Sequence, residues 1–164
     1  MMNNELPVVN IRMVKEPSLY SAEPIETSND AAKVIGQELK KLDREVFGVM
    51  NVKSDGSIIN INIVSMGTLN STIISPRDVF KSCILSNAAG FIAFHNHPSG
   101  KLEPSMEDIE TTQRLSECGK FMDIKMLDHI IVSGNTGDYV SLKQKGYIDD
   151  RPLSVSVREK GMER

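Results

Sequence analysis

Apolar and polar positions repeat along this chain with two periods, and the changes between them mark out the elements. β-Branched residues over 8–14 predict a short strand, and 15–27, with Pro17 and Pro24, read as a connector. Ser28, Asn29 and Asp30 offer N-caps for a helix running to about residue 42, with Ala31, Val34, Ile35, Leu39 and Leu42 on one face. Gly36 inside it is a mild cost. Residues 46–52 form a strand by composition, Ser54-Asp55-Gly56 a turn, and 58–64 a half-buried partner strand with Ile59, Ile61 and Ile63 set against Asn60 and Asn62. A polar loop, 66–75, leads to Ser75-Pro76-Arg77-Asp78, a helix start whose Val79, Phe80, Cys83 and Ile84 turn inward before Gly90. Next come a short apolar strand over 90–97, a helix over 105–118 with Gly119 as its stop, and a long strand over 124–133 interrupted by Asp128 and His129. A turn over 134–138 and a short strand over 139–142 follow. The chain thus divides into an N-terminal strand and connector (1–27), one domain (28–148) and a charged tail (149–164), expected to be loose. Interleaved strands and helices give the α/β class, a mixed sheet with helices on both faces.

With 164 residues, 40% hydrophobic and 25% charged, the chain is long enough for one proper core. A net charge of −3 and a pI of about 5.6 provide no global electrostatic footprint for nucleic acid. Cys83 and Cys118 form neither a Cys-x-x-Cys pair nor a disulfide framework, which fits packing residues in a reducing cytosol. No apolar run reaches the length of a membrane span, and Met1-Met2-Asn3-Asn4-Glu5 lacks the features of a signal peptide. The expected location is cytoplasmic, without a membrane partner.

The chemistry concentrates between Phe94 and Asp108. Side chains two apart on a strand share a face, so His95 and His97 project together and Asn96 points the other way. Pro98 ends that strand, Ser99-Gly100 turns the chain, and Ser105 caps a helix that carries Asp108 on its first turn. Two imidazoles and a carboxylate can therefore converge on one point, a ligand set that suits a single Zn²⁺ with its fourth position open for catalysis. Ser105 and Asp108 also satisfy a capping box, and the two roles are compatible. His129 alternates with Asp128 and reads as a residue packed behind the ligands, since a fourth ligand would close the position water needs. Thr111 and Thr112 lie one turn after Asp108, within reach of its carboxylate. A hydrolytic site also needs a general base, for which Glu23, Glu26, Glu38 and Glu45 are the upstream candidates; Glu38 sits among polar helix residues and reads as solvated.

The spacing His-x-His, seven residues, Ser, two residues, Asp resembles the JAMM (MPN+) metalloprotease motif, met by His95, His97, Ser105 and Asp108. The wording His95-Asn96-His97-Pro98-Ser99-Gly100 is similar to the RadC-like branch, as are Gly67-Thr68-Leu69-Asn70, Pro76-Arg77 and Leu127-Asp128-His129-Ile130-Ile131-Val132. The resemblance implies an α/β/α sandwich like that of cytidine deaminases. It also implies a glutamate base in the Arg44-Glu45-Val46-Phe47 context, and a peptide or isopeptide amide in a protein or peptide substrate of unknown identity. Ser105 would then donate to the developing oxyanion. A DNA-associated role, as in DNA repair, is the alternative that the RadC name suggests. Proteins of that branch typically carry a helix-hairpin-helix region first, and the segment before residue 28 is too short for one, so nucleic acid is not expected to bind the isolated chain. A homodimer is among the assemblies open to it. Two lookalikes fall away: HNH nucleases spread their motif over a hairpin and a helix, and the His-x-Glu and Pro-Cys-x-x-Cys of zinc deaminases are missing here.

Overall fold

The computed structural model describes residues 10, 12–17, 26–67 and 74–151. The most apolar strand, β3 (Gly90–His97), lies at the centre of a five-stranded sheet, between β1 (Val46–Val52) and β4 (Lys125–Ser133). β2 (Ile58–Met66) and β5 (Tyr139–Ser141) form its edges. β1 runs antiparallel to β2 and β3, β4 runs parallel to β3, and β5 antiparallel to β4, so the sheet is mixed. The parallel pair needs a crossover, and α3 (Met106–Met122) supplies it.

Two apolar layers sandwich the sheet. On one face Ala31, Ala32, Ile35 and Leu39 of α1 (Ser28–Leu39) pack against Val46, Met50, Ile92, Phe94, Ile130 and Val132. On the other, α2 (Pro76–Leu85) contributes Val79, Phe80 and Cys83 and α3 contributes Leu115, over Phe47, Val49, Phe91 and Ala93. Alternate residues of β3 thus feed opposite cores, which is why the whole strand is apolar up to its histidines. Phe91 is fully buried, its ring edge-on to Phe80 at 5.3 Å; burying a side chain of this size stabilises by about 1.5–3 kcal/mol. The α/β/α arrangement agrees with the sequence reading.

Several boundaries differ from expectation. Of the strand predicted over 8–14, residues 8, 9 and 11 lie outside the described residues, and Asn10, Arg12, Met13 and Val14 carry no strand. α1 is capped by Thr27 rather than by Ser28, Asn29 or Asp30. Asp30 sits three residues on, and its carboxylate returns to the Thr27 N–H at 3.0 Å, completing a capping box. Register shifts at both ends of β2 put Ile59 and Val64 against one core and Ile58 and Ile61 against the other, so the single-face alternation of Ile59, Ile61 and Ile63 does not form. Ile63 is left 47% exposed. Ile84, expected inward, is 53% exposed because the buried stripe of α2 passes through Val79, Phe80 and Cys83 and leaves it on the flank. α3 runs through Gly119 and ends at Asp123, whose backbone is left-handed (φ 56°). Gly119 serves close approach instead: a Cβ there would meet the carbonyl of Ile124. The tail is tethered at its start by Asp149 to Lys120 and by Asp150 to Lys125 and Lys143; 152–164 lie outside the described residues.

Gly36 also has a packing reason, since a Cβ there would strike the Gly137 backbone in the β4–β5 turn. Alanine gains at most about 1 kcal/mol in helix propensity, while overpacking against backbone costs about 1–3 kcal/mol. Gly36→Ala is therefore expected to lower the urea midpoint; a raised midpoint would show that the turn yields freely.

Candidate metal centre

β3 delivers both imidazoles to the face that packs on α3, and the first turn of α3 meets them there. His95 Nε2 lies 3.0 Å from Asp108 Oδ1, His97 Nε2 lies 3.3 Å from Asp108 Oδ2, and the two Nε2 atoms are 3.0 Å apart. A tetrahedral ion bonded at ~2.0–2.1 Å separates its ligand atoms by roughly 3.3 Å, so the three side chains fit a small divalent metal. Among the described residues His95, His97 and Asp108 are the group whose donor atoms converge in this way.

Each imidazole is oriented from behind. His97 Nδ1–H donates to the Lys101 carbonyl at 2.8 Å, which leaves Nε2 as the lone-pair atom. That carbonyl is placed by the turn after Pro98. Gly100 there has φ +83°, its N–H donates to the His97 carbonyl, and a Cβ on it would strike Asn135. Behind His95 runs a chain of three bonds. Thr112 Oγ donates to the Asp108 carbonyl at 2.6 Å, so it accepts from His129 Nδ1–H, also at 2.6 Å. His129 Nε2 must then accept from His95 Nδ1–H at 2.8 Å, and His95 Nε2 is left as a donor of electrons to a metal. Burial pushes the His129 pKa well below its ordinary value and keeps it neutral. Phe47 closes this pair off, stacked on His95 and edge-on to His129.

Burial alone would raise the Asp108 pKa, but when no metal takes the Nε2 positions, hydrogen bonds from His95 and His97 hold the carboxyl well below the usual carboxylate range. The same bond to Asp108 raises the His97 pKa. Asp108 keeps its capping role: its Oδ2 accepts from the Ser105 N–H at 2.7 Å and from Ser105 Oγ at 2.8 Å, while its own N–H donates to Ser105 Oγ. Ser105 therefore faces the site with its hydroxyl proton committed to Asp108. Thr112 reaches the Asp108 main chain rather than its carboxylate, and Thr111 lines the cleft without a hydrogen bond to it.

The ligands open into a cleft of about 540 Å³, lined also by Glu45, Phe47, Ile74, Ser99, Lys101 and Glu107. Glu45, immediately before β1, lines the cleft together with His97, near enough for its charge to help raise the His97 pKa after the larger effect of Asp108. A larger hollow of about 710 Å³ lies against Gly146 and 148–151, away from any converging ligands. Sequence reasoning passed over two contributors, the Lys101 carbonyl and Asn96. The first acts through its main chain and carries no mark of residue type, and the second acts through a carboxamide whose partners, the Val46 N–H and the Arg44 carbonyl, lie some fifty residues away in sequence.

A family model described as a RadC-like JAB domain matches residues 25–147. A UPF0758 protein of Bacillus pumilus is 42% identical over 124 residues, 76% of this chain and 54% of the relative. A UPF0758 protein of Desulfitobacterium hafniense is 40% identical over 124 residues, again 76% of this chain and 54% of the relative. The UPF0758 protein YsxA of Bacillus subtilis is 41% identical over 124 residues, 76% and 53% of the two chains. The chain spans about half the length of the curated relatives it matches.

Proposed function

We propose that this chain, which belongs to the RadC-like JAB domain family, is a zinc-dependent hydrolase that cleaves a peptide or isopeptide amide. The observation that carries the reading is the convergence of two oriented imidazole Nε2 atoms and one carboxylate at the floor of an open cleft. Three protein ligands with a fourth position free is the arrangement of a catalytic rather than a structural zinc site. When bound, the ion supplies Lewis acidity, which acidifies water toward neutrality and polarises a carbonyl.

The remaining steps belong to the chain's own side chains. Glu45, which lines the cleft with His97, takes the proton of the attacking water and later delivers one to the leaving nitrogen. Ser105, whose hydroxyl proton rests on Asp108, donates to the developing oxyanion once that hydroxyl rotates toward the cleft, a role typically worth a few kcal/mol. Phe47 and Ile74 form the apolar wall that keeps bulk water from the reacting atoms. No helix of the described residues is long and apolar enough to cross a membrane, and both cysteines are free, with burial pushing the Cys83 thiol up to about 11. A reducing cytosol is the proposed setting. The deciding test measures zinc by atomic emission after purification without added metal, then assays amide cleavage on a peptide and isopeptide library. One zinc per chain with chelator-sensitive cleavage supports the reading; a zinc-loaded protein inert toward every amide would end it.

Metal uptake should be pH dependent with a defined sign. In the metal-free chain the raised His97 stabilises below its unfolded value, about 6.5, and this contribution is lost as pH rises through its higher folded value. The depressed Asp108 contributes above about 3.9 and loses its effect only in acid, so it is constant near neutrality. Buried neutral His129 loses stability as pH falls below about 6.5, but equally with and without metal. Zinc displaces the His97 proton, so the zinc-induced rise in Tm is expected to grow from pH 6 to pH 8. A shift independent of pH would mean that His97 binds no metal.

A further inference from the structure

We infer that Asn96 is a positioning residue that holds the base: its carboxamide fixes the stretch of backbone on which Glu45 is carried. The inference rests on the reading of Glu45 given above. Backbone pairing between β1 and β3 ends at Phe47 and His95, and the next residue of each strand, Val46 and Asn96, meets through the Asn96 side chain. There the Asn96 side chain takes the place of the next rung. Its Oδ1 accepts from the Val46 N–H at 2.7 Å, and its Nδ2 donates to the Arg44 carbonyl at 3.0 Å. The two bonds grip the chain immediately before and immediately after Glu45. On the other side the Glu45 carbonyl accepts from the Gly67 N–H at 2.9 Å, so the residue is held from both neighbouring strands.

The chemistry of the clamp is specific to a carboxamide. Bridging an N–H and a C=O two residues apart on one strand needs a donor and an acceptor on a single planar group, which among short side chains only asparagine offers at neutral charge. Asn96 is fully buried, so its bonds are made without competition from water, and an unsatisfied amide there would carry its full desolvation cost. The strand's two-residue period explains the division of labour: His95 and His97 face the metal site, and Asn96, facing away, reaches across to the base-bearing chain. A base displaced by about 1 Å can lose on the order of 10² in rate, so this grip acts on turnover and leaves metal binding alone.

The test pairs Asn96→Leu, which keeps the branched outline and removes both bonds, with Asn96→Ala, which leaves space and serves if the first fails to fold. Zinc content is expected to stay at the wild-type level and KM within about threefold, while kcat falls by about tenfold or more. In a Glu45→Gln background the same substitution should change kcat by less than about threefold, because its target is already gone. Hydrogen exchange supplies a readout independent of turnover: protection of the Val46 amide should be lost while that of Met50 is retained. An equal loss of kcat in both backgrounds, loss of zinc, or unchanged protection at Val46 overturns the inference. A wild-type chain that cleaves no amide removes the hydrolase reading, and the exchange experiment still decides whether Asn96 holds this backbone.

Discussion

Asp108→Ala is expected to abolish zinc retention and turnover together and to lower stability. The carboxylate supplies one of three ligand groups, and its removal leaves two imidazoles, below what a catalytic zinc site uses. It also removes half of the capping box on α3, a cap worth about 0.5–2 kcal/mol. Because metal binding adds to folding free energy, Tm should fall further in the zinc-loaded comparison than in the presence of chelator. His97→Ala should match it in zinc and activity but spare the cap, so its chelator-treated Tm should stay closer to wild type. Atomic emission and differential scanning fluorimetry read both quantities; stoichiometric zinc in the Asp108→Ala protein would show the ligand set to be wrong.

Glu45→Gln should separate chemistry from architecture. The amide keeps the shape of the side chain and all three ligand groups but cannot accept a proton. Zinc content and Tm are expected to hold while kcat falls by about 10² or more, with KM little changed. Glu45 is half-buried at the cleft mouth and within the electrostatic reach of His97, so a small change in zinc affinity is the largest side effect expected. Wild-type turnover in Glu45→Gln would mark Glu45 as an ordinary surface carboxylate and return the search to Glu38 or another acid.

The candidate site was legible to the extent that it is local. His95, His97, Ser105 and Asp108 fall within one strand, one turn and one helix start, where period and capping rules place side chains without knowledge of the rest. What lies behind them depends on strand order. His129 reaches His95 because β4 pairs parallel to β3, and Asn96 reaches the Glu45 backbone because β1 pairs on the other side. Neither pairing is written in a local pattern. The fold shows the same division. β1, β3 and β4 are apolar runs and were readable, whereas the bulged register of β2 is set by its partner and was not. At Thr27 several capping residues stood side by side, and the choice fell to the one with an acid three residues later. At Gly119 a stop signal was in fact a close contact with the strand that follows.

The rung that Asn96 contributes bears on how such a site could be transplanted. A graft of the loop from Phe94 to Asp108 onto a foreign scaffold would bring every proposed metal ligand and leave the proposed base behind, because Glu45 comes from the start of a neighbouring strand. The smallest portable unit is instead β1, β3 and the His129 stretch of β4, kept in their native stagger, with the first two turns of α3. A slip of one residue between β1 and β3 would unseat the asparagine from its rung and misalign Glu45 with His97 in the same stroke. β5 and α1 could be redrawn around that unit, provided the replacement still covers its apolar faces, whereas the end of β2 must keep a donor for the Glu45 carbonyl.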